Sequence, residues 1–258
     1  MKLSALTSSL PLELPKAIHA IADLGFQWID VPPTADPAAR RALLDRDLRV
    51  SCVGLEREQP PDVEFGCQDV AGRERALNYF KQAVDRTAEL RAKLGYLTPP
   101  TDSDSMVLGR WSDDLLKLAE HAKGHEIRIC IEHFPRRALP TVRDTLRFLK
   151  ELNHSALALL IDVGHCLISG EDAAASVAQS GDRLGYIHFD DNDGVDDLHW
   201  ALLDGRLTES QLAAVVDAQR QAGYQGALCI ELNSSLPEPL ENLRRSQQIL
   251  ERYVAGPS

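Results

Sequence analysis

The sequence predicts a (β/α)8 barrel, an α/β fold in which eight parallel strands alternate with helices. Three observations support this fold class. The 258 residues, of which 44% are hydrophobic, suit a barrel that forms one domain over residues 1–258. Short apolar runs of strand type recur along the chain, and segments with helical spacing separate them. These runs are too apolar for a sheet with one face in water, which favours a buried parallel sheet.

Eight predicted strands follow one another at intervals that leave room for a helix between them. An open, doubly wound sheet is the alternative architecture. It gains no support, because the first strand and its turn lack a glycine-rich phosphate-binding fingerprint. The eight predicted strands are KLSAL (2–6), FQWIDV (26–31), LRVSCVGL (48–55), KLGYL (93–97), IRICIEHF (127–134), ALALLIDV (156–163), LGYIHFD (184–190) and ALCIEL (227–232).

The predicted helices carry the expected start and stop signals. The first is expected to end at Gly25, since glycine readily adopts the left-handed conformation that ends a helix. The helix before the fifth strand is expected to run from a Ser112 cap to Gly124. The next helix opens with Thr141 and Asp144, a pair that resembles a capping box.

Composition and charge narrow the classes of partner. The formal net charge is −11, from 39 acidic residues against 28 lysines and arginines, and this charge would repel nucleic acid and anionic membranes. No uncharged apolar run approaches the ~18 residues of a membrane span, and no segment of signal-peptide type is present at the start. We therefore expect a cytoplasmic enzyme with a small-molecule partner. The five scattered cysteines, without a CxxC pair, are expected to be reduced thiols.

Polar residues end the last four predicted strands. The fifth ends at Glu132 and the sixth at Asp162, while the seventh carries His188 and the eighth closes with Glu231. In a barrel the carboxyl ends of the strands meet at one face, so these side chains should converge. Two glutamates, one aspartate and one histidine form an oxygen-rich set that suits Mn²⁺, Mg²⁺, Co²⁺ or Zn²⁺. The sequence thus predicts one divalent metal ion.

Each of these residues also has a structural explanation. A single acid at a strand end is commonly a solvated loop residue or a helix cap. His165, three residues beyond Asp162, could be a histidine at a helix start that bonds to the backbone. His133 follows Glu132 directly, so strand alternation turns it away from the barrel axis, where it would be a packing or rim residue.

Almost the whole chain resembles the xylose isomerase-like TIM-barrel superfamily, the sugar phosphate isomerase/epimerase family. That superfamily includes sugar isomerases and epimerases, inosose dehydratases and isomerases, and the endonuclease IV group. The D-x-G-H and G-Y-x-G-x-x-x-I-E patterns are fairly specific to it. The motifs that carry the resemblance are AIADLGFQWIDV, AKGHEIRICIEHF, IDVGH, YIHFDDN, DLHWALLDGRLT and AGYQGALCIEL.

The resemblance implies a role for each residue that matches a family motif. It implies that His165 touches a substrate hydroxyl, with Asp190 and His199 as further substrate-binding residues and with Asp197 beside His199 at the mouth of the site. The residues that the resemblance assigns to one divalent metal are Glu132, Asp162, His188 and Glu231.

The chain departs from the family pattern at three places. Gly194 stands where the ketose 3-epimerases of the group place a substrate-binding arginine. Thr98 stands on the fourth strand where many members have a histidine, and the acid that closes the second strand is present only as Asp30. The specific ketohexose epimerase activity therefore loses support.

The predicted function is a metal-dependent isomerase or epimerase of a small sugar or keto-polyol. Glu132 and Glu231 would act as the catalytic acid and base on opposite faces of a centre next to a carbonyl, through an enediolate. The alternative is a dehydratase or lyase of an oxidised sugar or cyclitol, if a leaving group lies β to the carbonyl.

Two remoter functions stay open. Asp197 and His199 match a zinc-binding pair of the endonuclease IV group, but the early histidines of that group are missing from VSCVGL and GYLTPP. A barrel that serves as a non-catalytic binding subunit is also open, since fold does not fix function. A homo-oligomer is compatible with each of these functions.

Overall fold

Eight parallel strands close into a barrel in the computed structural model, which describes residues 1–61 and 63–254. Each strand pairs with its neighbour in sequence, and β1 pairs with β8 to complete the ring. The predicted (β/α)8 fold class is confirmed. The strands are β1 Lys2–Leu6, β2 Trp28–Val31, β3 Arg49–Gly54, β4 Leu94–Leu97, β5 Arg128–Glu132, β6 Leu157–Asp162, β7 Leu184–Phe189 and β8 Ala227–Ile230.

Helices alternate with the strands and cover the outside of the barrel. Two short 3₁₀ helices, at Thr7–Ser9 and Gly181–Arg183, lie in the connections. The α-helices of the described residues are α1 Leu14–Asp23, α2 Pro37–Asp45, α3 Val70–Glu89, α4 Ser105–Gly124, α5 Val142–Leu152, α6 Val163–Ser169, α7 Ala173–Ser180, α8 Glu209–Gln221 and α9 Pro239–Val254.

Each predicted strand overlaps an observed one, but several are longer than the observed strand. The fifth was predicted over 127–134, whereas β5 ends at Glu132. The apolar pattern continues past the strand because the residues after it remain buried as the chain turns: His133 is fully buried although it lies outside the ladder. The apolar pattern of the sequence therefore indicates which residues are buried, and the buried stretch is longer than the hydrogen-bonded strand.

The barrel has two separate apolar regions. The larger one lies between the strands and the surrounding helices. The smaller one fills the inside of the barrel, and its members come from alternate positions of the strands because side chains alternate between the two faces. The interior residues are Leu6, Cys52, Tyr96, Cys130, Ala158, Leu160, Tyr186, Ala227 and Cys229.

The structure corrects one predicted helix start. Ser112 does not cap α4, because that helix already begins at Ser105, where the carboxylate of Asp104 accepts the Met106 N–H at 2.7 Å. The Ser112 hydroxyl instead donates to the Leu108 carbonyl at 2.6 Å. A serine inside a helix can bond the carbonyl one turn back, so its presence alone does not mark a helix start.

The predicted cap of α5 is present in altered form. The Thr141 hydroxyl accepts the Asp144 N–H at 3.0 Å, as a capping residue should. The Asp144 carboxylate bonds that same hydroxyl at 2.6 Å, whereas in a capping box it would accept the backbone N–H of the capping residue. A complete capping box occurs at Thr208 and Gln211, at the start of α8.

Two further expectations concern the chain as a whole. Among the described residues, no helix combines the length and the apolar character that crossing a bilayer requires. Within the same part of the chain all five cysteines are free thiols, and all except Cys67 are buried.

An ion pair between Arg73 and the buried Asp114 joins α3 to α4 and gives a test of the fold. Asp114 is almost fully buried and accepts two hydrogen bonds from Arg73, from Nε at 2.8 Å and from Nη2 at 2.7 Å. Burial would raise the pKa of Asp114, but the Arg73 hydrogen bonds hold it below its usual value.

We expect Arg73→Ala to lower the free energy of unfolding by about 2–3 kcal/mol, because it leaves a buried carboxylate without its main partner. Urea denaturation at pH 7 measures this loss. A folded-state pKa below the unfolded value stabilises the protein above about pH 4, and this contribution disappears as the pH falls through the folded pKa. The difference in the free energy of unfolding between wild type and Arg73→Ala should therefore shrink in acid.

Lys117→Ala is the control, since its exposed ammonium contributes less than about 1 kcal/mol. Equal losses in the two variants would contradict the assignment.

Candidate functional site

The four predicted metal-binding residues converge at the carboxyl ends of the strands. Glu132 ends β5, Asp162 ends β6, His188 lies one residue before the end of β7, and Glu231 follows β8. One ligand atom from each lies within 4.8 Å of the others, and all four residues are buried. The structure thus brings the predicted set together at one point.

The distances within this cluster suit a small cation. The Nδ1 atom of His188 lies 2.6 Å from Glu231 Oε2, 3.6 Å from Glu132 Oε1 and 4.0 Å from Asp162 Oδ2. Ligand atoms at ~2.0–2.2 Å from a tetrahedral or octahedral ion lie about 2.8–3.6 Å apart. The three observed distances bracket that range, so a shift of less than about 1 Å per side chain would complete the geometry.

Three side-chain atoms of the cluster residues make no hydrogen bond within the described part of the chain. They are Asp162 Oδ2 and both ring nitrogens of His188, all inaccessible to solvent. The other oxygen of Asp162 accepts the His165 N–H at 2.7 Å as the N-terminal cap of α6, so capping holds this carboxylate with Oδ2 turned to the cluster. Buried polar atoms without partners are costly, and a bound cation would satisfy Asp162 Oδ2 and His188 Nδ1, the two that face the cluster.

The electrostatics of the cluster favour positive charge. Burial and the nearby Asp190 carboxylate raise the pKa of Asp162 well above its usual value. Burial would lower the pKa of His188, but the Glu231 and Glu132 carboxylates raise it well above its usual range. Conversely, burial would raise the pKa of Glu231, while the His188 charge holds it well below. The site therefore stabilises a cation among its carboxylates.

Two tyrosines and Asp30 hold the His188 ring in place. The rings of Tyr96 and Tyr186 meet it edge to face, with centroids 5.1 and 5.6 Å away. Asp30 Oδ2 lies 3.9 Å from His188 Nε2 and has no hydrogen-bond partner among residues 1–61 and 63–254. Asp30, the acid that closes the second strand, thus lies directly behind the predicted histidine ligand.

Asp30 is itself fixed by three hydroxyl groups that converge on its Oδ1 atom. The Ser4 hydroxyl lies at 2.9 Å, the Ser51 hydroxyl at 2.5 Å and the Tyr186 hydroxyl at 2.6 Å. Burial raises the pKa of Asp30, and the His188 charge opposes that rise. These contacts leave Oδ2 as the atom that faces His188.

His133 and His165 lie behind the cluster. His133 is fully buried and its Nε2 accepts the Asp162 N–H at 3.2 Å, so it is a packing residue turned away from the barrel axis. His165 is also fully buried, with Nδ1 2.9 Å from the His133 carbonyl and Nε2 3.3 Å from Asp197 Oδ1. Burial would lower the pKa of His165, but the Asp162 and Asp197 carboxylates raise it to about 10.

Asp190 links the start of α6 to the His199 ring. One carboxylate oxygen of Asp190 accepts the Gly164 N–H at 2.9 Å, and the other lies 2.8 Å from His199 Nδ1. Nε2 of His199 lies 3.1 Å from Asp197 Oδ1. A row of alternating acids and histidines thus joins Asp190, His199, Asp197 and His165; Asp190 and His165 are buried, whereas His199 and Asp197 are partly open to solvent.

A cavity of about 470 Å³ opens beside the cluster. Its described lining residues do not include His165 or Asp190, which lie behind the wall. The lining residues that bear on function are Glu132, Glu231, Asp197, His199, Arg57 and Arg137.

Neither arginine of the cavity is among the site residues predicted from the sequence. Arg57 donates to Glu231 Oε1 at 2.7 Å and to the Tyr96 hydroxyl at 3.2 Å. Arg137 lies over the Phe134 ring at 4.2 Å and donates to the Thr98 hydroxyl at 2.9 Å. Arg57 comes soon after the third strand, so the rule that strand ends face the site could have found it. Arg137 follows no such pattern.

The departures from the family pattern have structural counterparts. Thr98 borders the cavity, and its N–H and hydroxyl both donate to Glu56, at 3.1 and 2.8 Å. Gly194 has a φ of 80°, and a Cβ atom there would lie 2.8 Å from Cδ of Arg206. An arginine at position 194 would therefore need another loop conformation.

The sequence matches a family described as xylose isomerase-like TIM barrel over residues 18–253. It is 26% identical over 196 residues to fructoselysine 3-epimerase of Shigella flexneri, which covers 71% of this chain and 67% of that protein. A second relative, 3-dehydroshikimate dehydratase of Pseudomonas putida, is 25% identical over 247 residues, or 90% of this chain and 38% of the relative.

The solved structure of a D-allulose 3-epimerase from Methylomonas sp. resembles this barrel. The TM-score is 0.83 at 18% sequence identity, and the match covers 98% of both chains. At this level of identity the likeness establishes the barrel fold.

Close packing at Gly164 gives a test of how the row of acids and histidines is held. A Cβ atom at this position would lie 2.1 Å from Asp190 Oδ1 and 2.3 Å from Asn192 Nδ2. We expect Gly164→Ala to displace the Asp190 carboxylate and to destabilise the protein by about 1–3 kcal/mol. Urea denaturation measures the stability, and a crystal structure of the variant shows the displacement.

Gly109→Ala is the matched control. No described atom lies within 4 Å of a Cβ built at this helical position, so alanine should be neutral or stabilising there. Unchanged stability in Gly164→Ala would show that the carboxylate is not held as described.

Proposed function

This chain belongs to the xylose isomerase-like TIM-barrel family, and on that premise we propose that it is a divalent-metal-dependent isomerase or epimerase of a small sugar or keto-polyol. The observation that carries the proposal is the meeting of three buried carboxylates and one imidazole beside an open cavity. The similarity to a protein named fructoselysine 3-epimerase supports the same class of reaction and a carbohydrate-like substrate.

Four residues would hold one divalent ion, and the unpartnered atoms Asp162 Oδ2 and His188 Nδ1 fit that role. Mn²⁺, Mg²⁺, Co²⁺ and Zn²⁺ all suit a set of three carboxylates and one imidazole. When bound, the ion supplies Lewis-acid polarisation of a substrate carbonyl. The four proposed ligands are Glu132, Asp162, His188 and Glu231.

Glu132 and Glu231 are the proposed catalytic acid and base. Both border the cavity, and they come from the ends of β5 and β8, with two strands between them. One carboxylate would remove the proton next to the carbonyl, which gives an enediolate, and the other would return a proton to the opposite face. This sequence of steps inverts the carbon centre.

Other residues of the chain would orient these groups. Arg57 binds Oε1 of Glu231, which leaves Oε2 turned towards His188. His199 and Asp197 border the cavity, so they can hydrogen-bond substrate hydroxyls. For His165 and Asp190, first predicted to bind substrate, we propose a positioning role, because both are fully buried behind His199 and Asp197.

A dehydratase is the second candidate, and the similarity to a protein named 3-dehydroshikimate dehydratase supports it. The same proton removal next to a carbonyl would expel a leaving group in the β position. The two candidates share the base and differ in the substrate, so product analysis distinguishes them.

Metal content tests the proposed ligand set. Purified protein should contain about one divalent ion per chain when Mn²⁺ is supplied. Asp162→Asn should remove most of it, because asparagine keeps the cap of α6 but loses the charge, and Glu231→Gln should do the same. Elemental analysis after gel filtration measures the content.

Glu56→Gln is the control for metal content, since Glu56 borders the same cavity outside the ligand set. It should retain the ion. Full metal content in both ligand variants would refute the assignment.

Solvent isotope exchange tests the mechanism. With an accepted ketose in D₂O, deuterium should appear at the carbon next to the carbonyl, because a carboxylate that takes up a proton exchanges it with solvent. Glu132→Gln, assayed where elemental analysis shows that the ion is still bound, should slow this exchange by about 10²–10⁴-fold, the usual contribution of a general base. Proton NMR follows the loss of the substrate signal.

The exchange experiment also separates the alternatives. Product without solvent deuterium would exclude the enediolate mechanism for this protein. Deuterium uptake together with loss of water from the substrate would identify the dehydratase.

A further inference from the structure

A second group of ligand-type side chains lies on the outer surface of the barrel. It consists of Asp85 on α3, His121 in the last turns of α4, and His125, which caps the end of α4. The ligand atoms of these three residues lie within 4.8 Å of one another. Because α4 ends just before β5 begins, this group lies at the amino ends of the strands, opposite the cavity.

The two imidazoles converge on one carboxylate oxygen. His121 Nε2 lies 2.7 Å from Asp85 Oδ1, and His125 Nε2 lies 3.0 Å from the same atom. Histidines four residues apart face the same side of a helix, and the two ring centroids are 5.2 Å apart. Three atoms that can bind a metal therefore lie in one small volume, since each imidazole offers a lone pair on Nε2 when its proton is on Nδ1.

We propose that Asp85, His121 and His125 form a binding site for a transition-metal ion of the zinc type, which links α3 to α4. Two neutral imidazoles and one carboxylate are ligands that Zn²⁺, Ni²⁺ and Cu²⁺ accept. A tetrahedral ion with bonds of about 2.0–2.1 Å sets its ligand atoms about 3.3 Å apart, so the observed atoms must separate by about half an ångström.

The side chains have the freedom to make that adjustment. Their exposed fractions are 29% for His121, 37% for His125 and 45% for Asp85. The same exposure gives an ion direct access from solvent and leaves its remaining coordination position to water. This is a site that can fill after folding.

The outer site differs in chemistry from the cluster inside the barrel. It has two nitrogen ligands and one oxygen ligand, whereas the barrel cluster has one nitrogen and three carboxylates. Nitrogen-rich sets favour zinc-type ions over Mg²⁺, which prefers oxygen. Magnesium should therefore leave the outer site unfilled while zinc fills it.

Zinc binding to metal-stripped protein at pH 7.5 tests the proposal, by equilibrium dialysis with free Zn²⁺ in the low micromolar range. Wild type with an intact barrel cluster should bind about two ions per chain. The double variant His121→Ala/His125→Ala should bind about one fewer, and its turnover should be unchanged. His154→Ala is the matched control, because it removes another surface histidine that contacts a carboxylate, Glu120.

A second measurement covers the case in which the double variant does not fold. Asp162→Asn, which weakens the barrel cluster, should still bind Cu²⁺ with electron paramagnetic resonance splitting from two nitrogens, and the further change His125→Gln should remove one of them. An ion that binds the folded protein and not the unfolded chain raises the melting temperature. Zinc should therefore raise the melting temperature of Asp162→Asn more than that of Asp162→Asn/His125→Gln.

The proposal fails if the double variant keeps the same number of zinc ions as wild type. It fails equally if Asp162→Asn shows no copper signal with two nitrogens. In either case the three residues form a hydrogen-bonded ion pair and no metal site.

Discussion

The alternation of side chains along the parallel strands is the constraint on which the site depends. Ala158 and Leu160 point into the barrel and fill it, and Asp162 two residues later points the same way at the rim. The same relation joins Cys130 to Glu132, Tyr186 to His188, and Cys229 to Glu231. A closed sheet holds these rims at fixed distances, so the packing of the interior also determines where the ligands meet.

Burial of three carboxylates at one point is costly unless other groups compensate their charge, since each buried ion loses several kcal/mol of hydration. The chain spreads this compensation over several contacts. Asp162 caps α6, where the helix terminus favours an anion, and Arg57 pairs with Glu231 at 2.7 Å. Within the cluster, the positive charge of the His188 imidazole offsets part of the carboxylate charge. The cap and the arginine engage Asp162 Oδ1 and Glu231 Oε1, so the second oxygen of each carboxylate stays turned towards the centre.

The features that follow from periodicity were predictable from the sequence. Eight apolar runs gave the strands, and the polar residue at the end of each late run gave Glu132, Asp162, His188 and Glu231, because alternation and burial are local properties. Cap identity was less predictable: Ser112 is a good capping residue that bonds within its helix instead. Arg137 and Phe134 could not be predicted as cavity residues, since their positions depend on how a loop folds over its neighbour.

The residues proposed to carry the chemistry and those that shape the cavity wall lie on different parts of the barrel. The proposed ligands and bases lie on or directly after strands, whose geometry the closed sheet dictates. Glu56, Arg57, Thr98 and Arg137 lie on the loops after β3, β4 and β5 and shape the opposite wall of the cavity. Loops tolerate sequence change that strands do not, so the same strand ends can be combined with different cavity walls. Gly194 illustrates this: the arginine expected there is absent, while Arg57 and Arg137 bring positive charge to the cavity from other loops. The wall formed after β3 and β5 therefore presents two arginines to the cavity, of which Arg57 is paired with Glu231 at 2.7 Å.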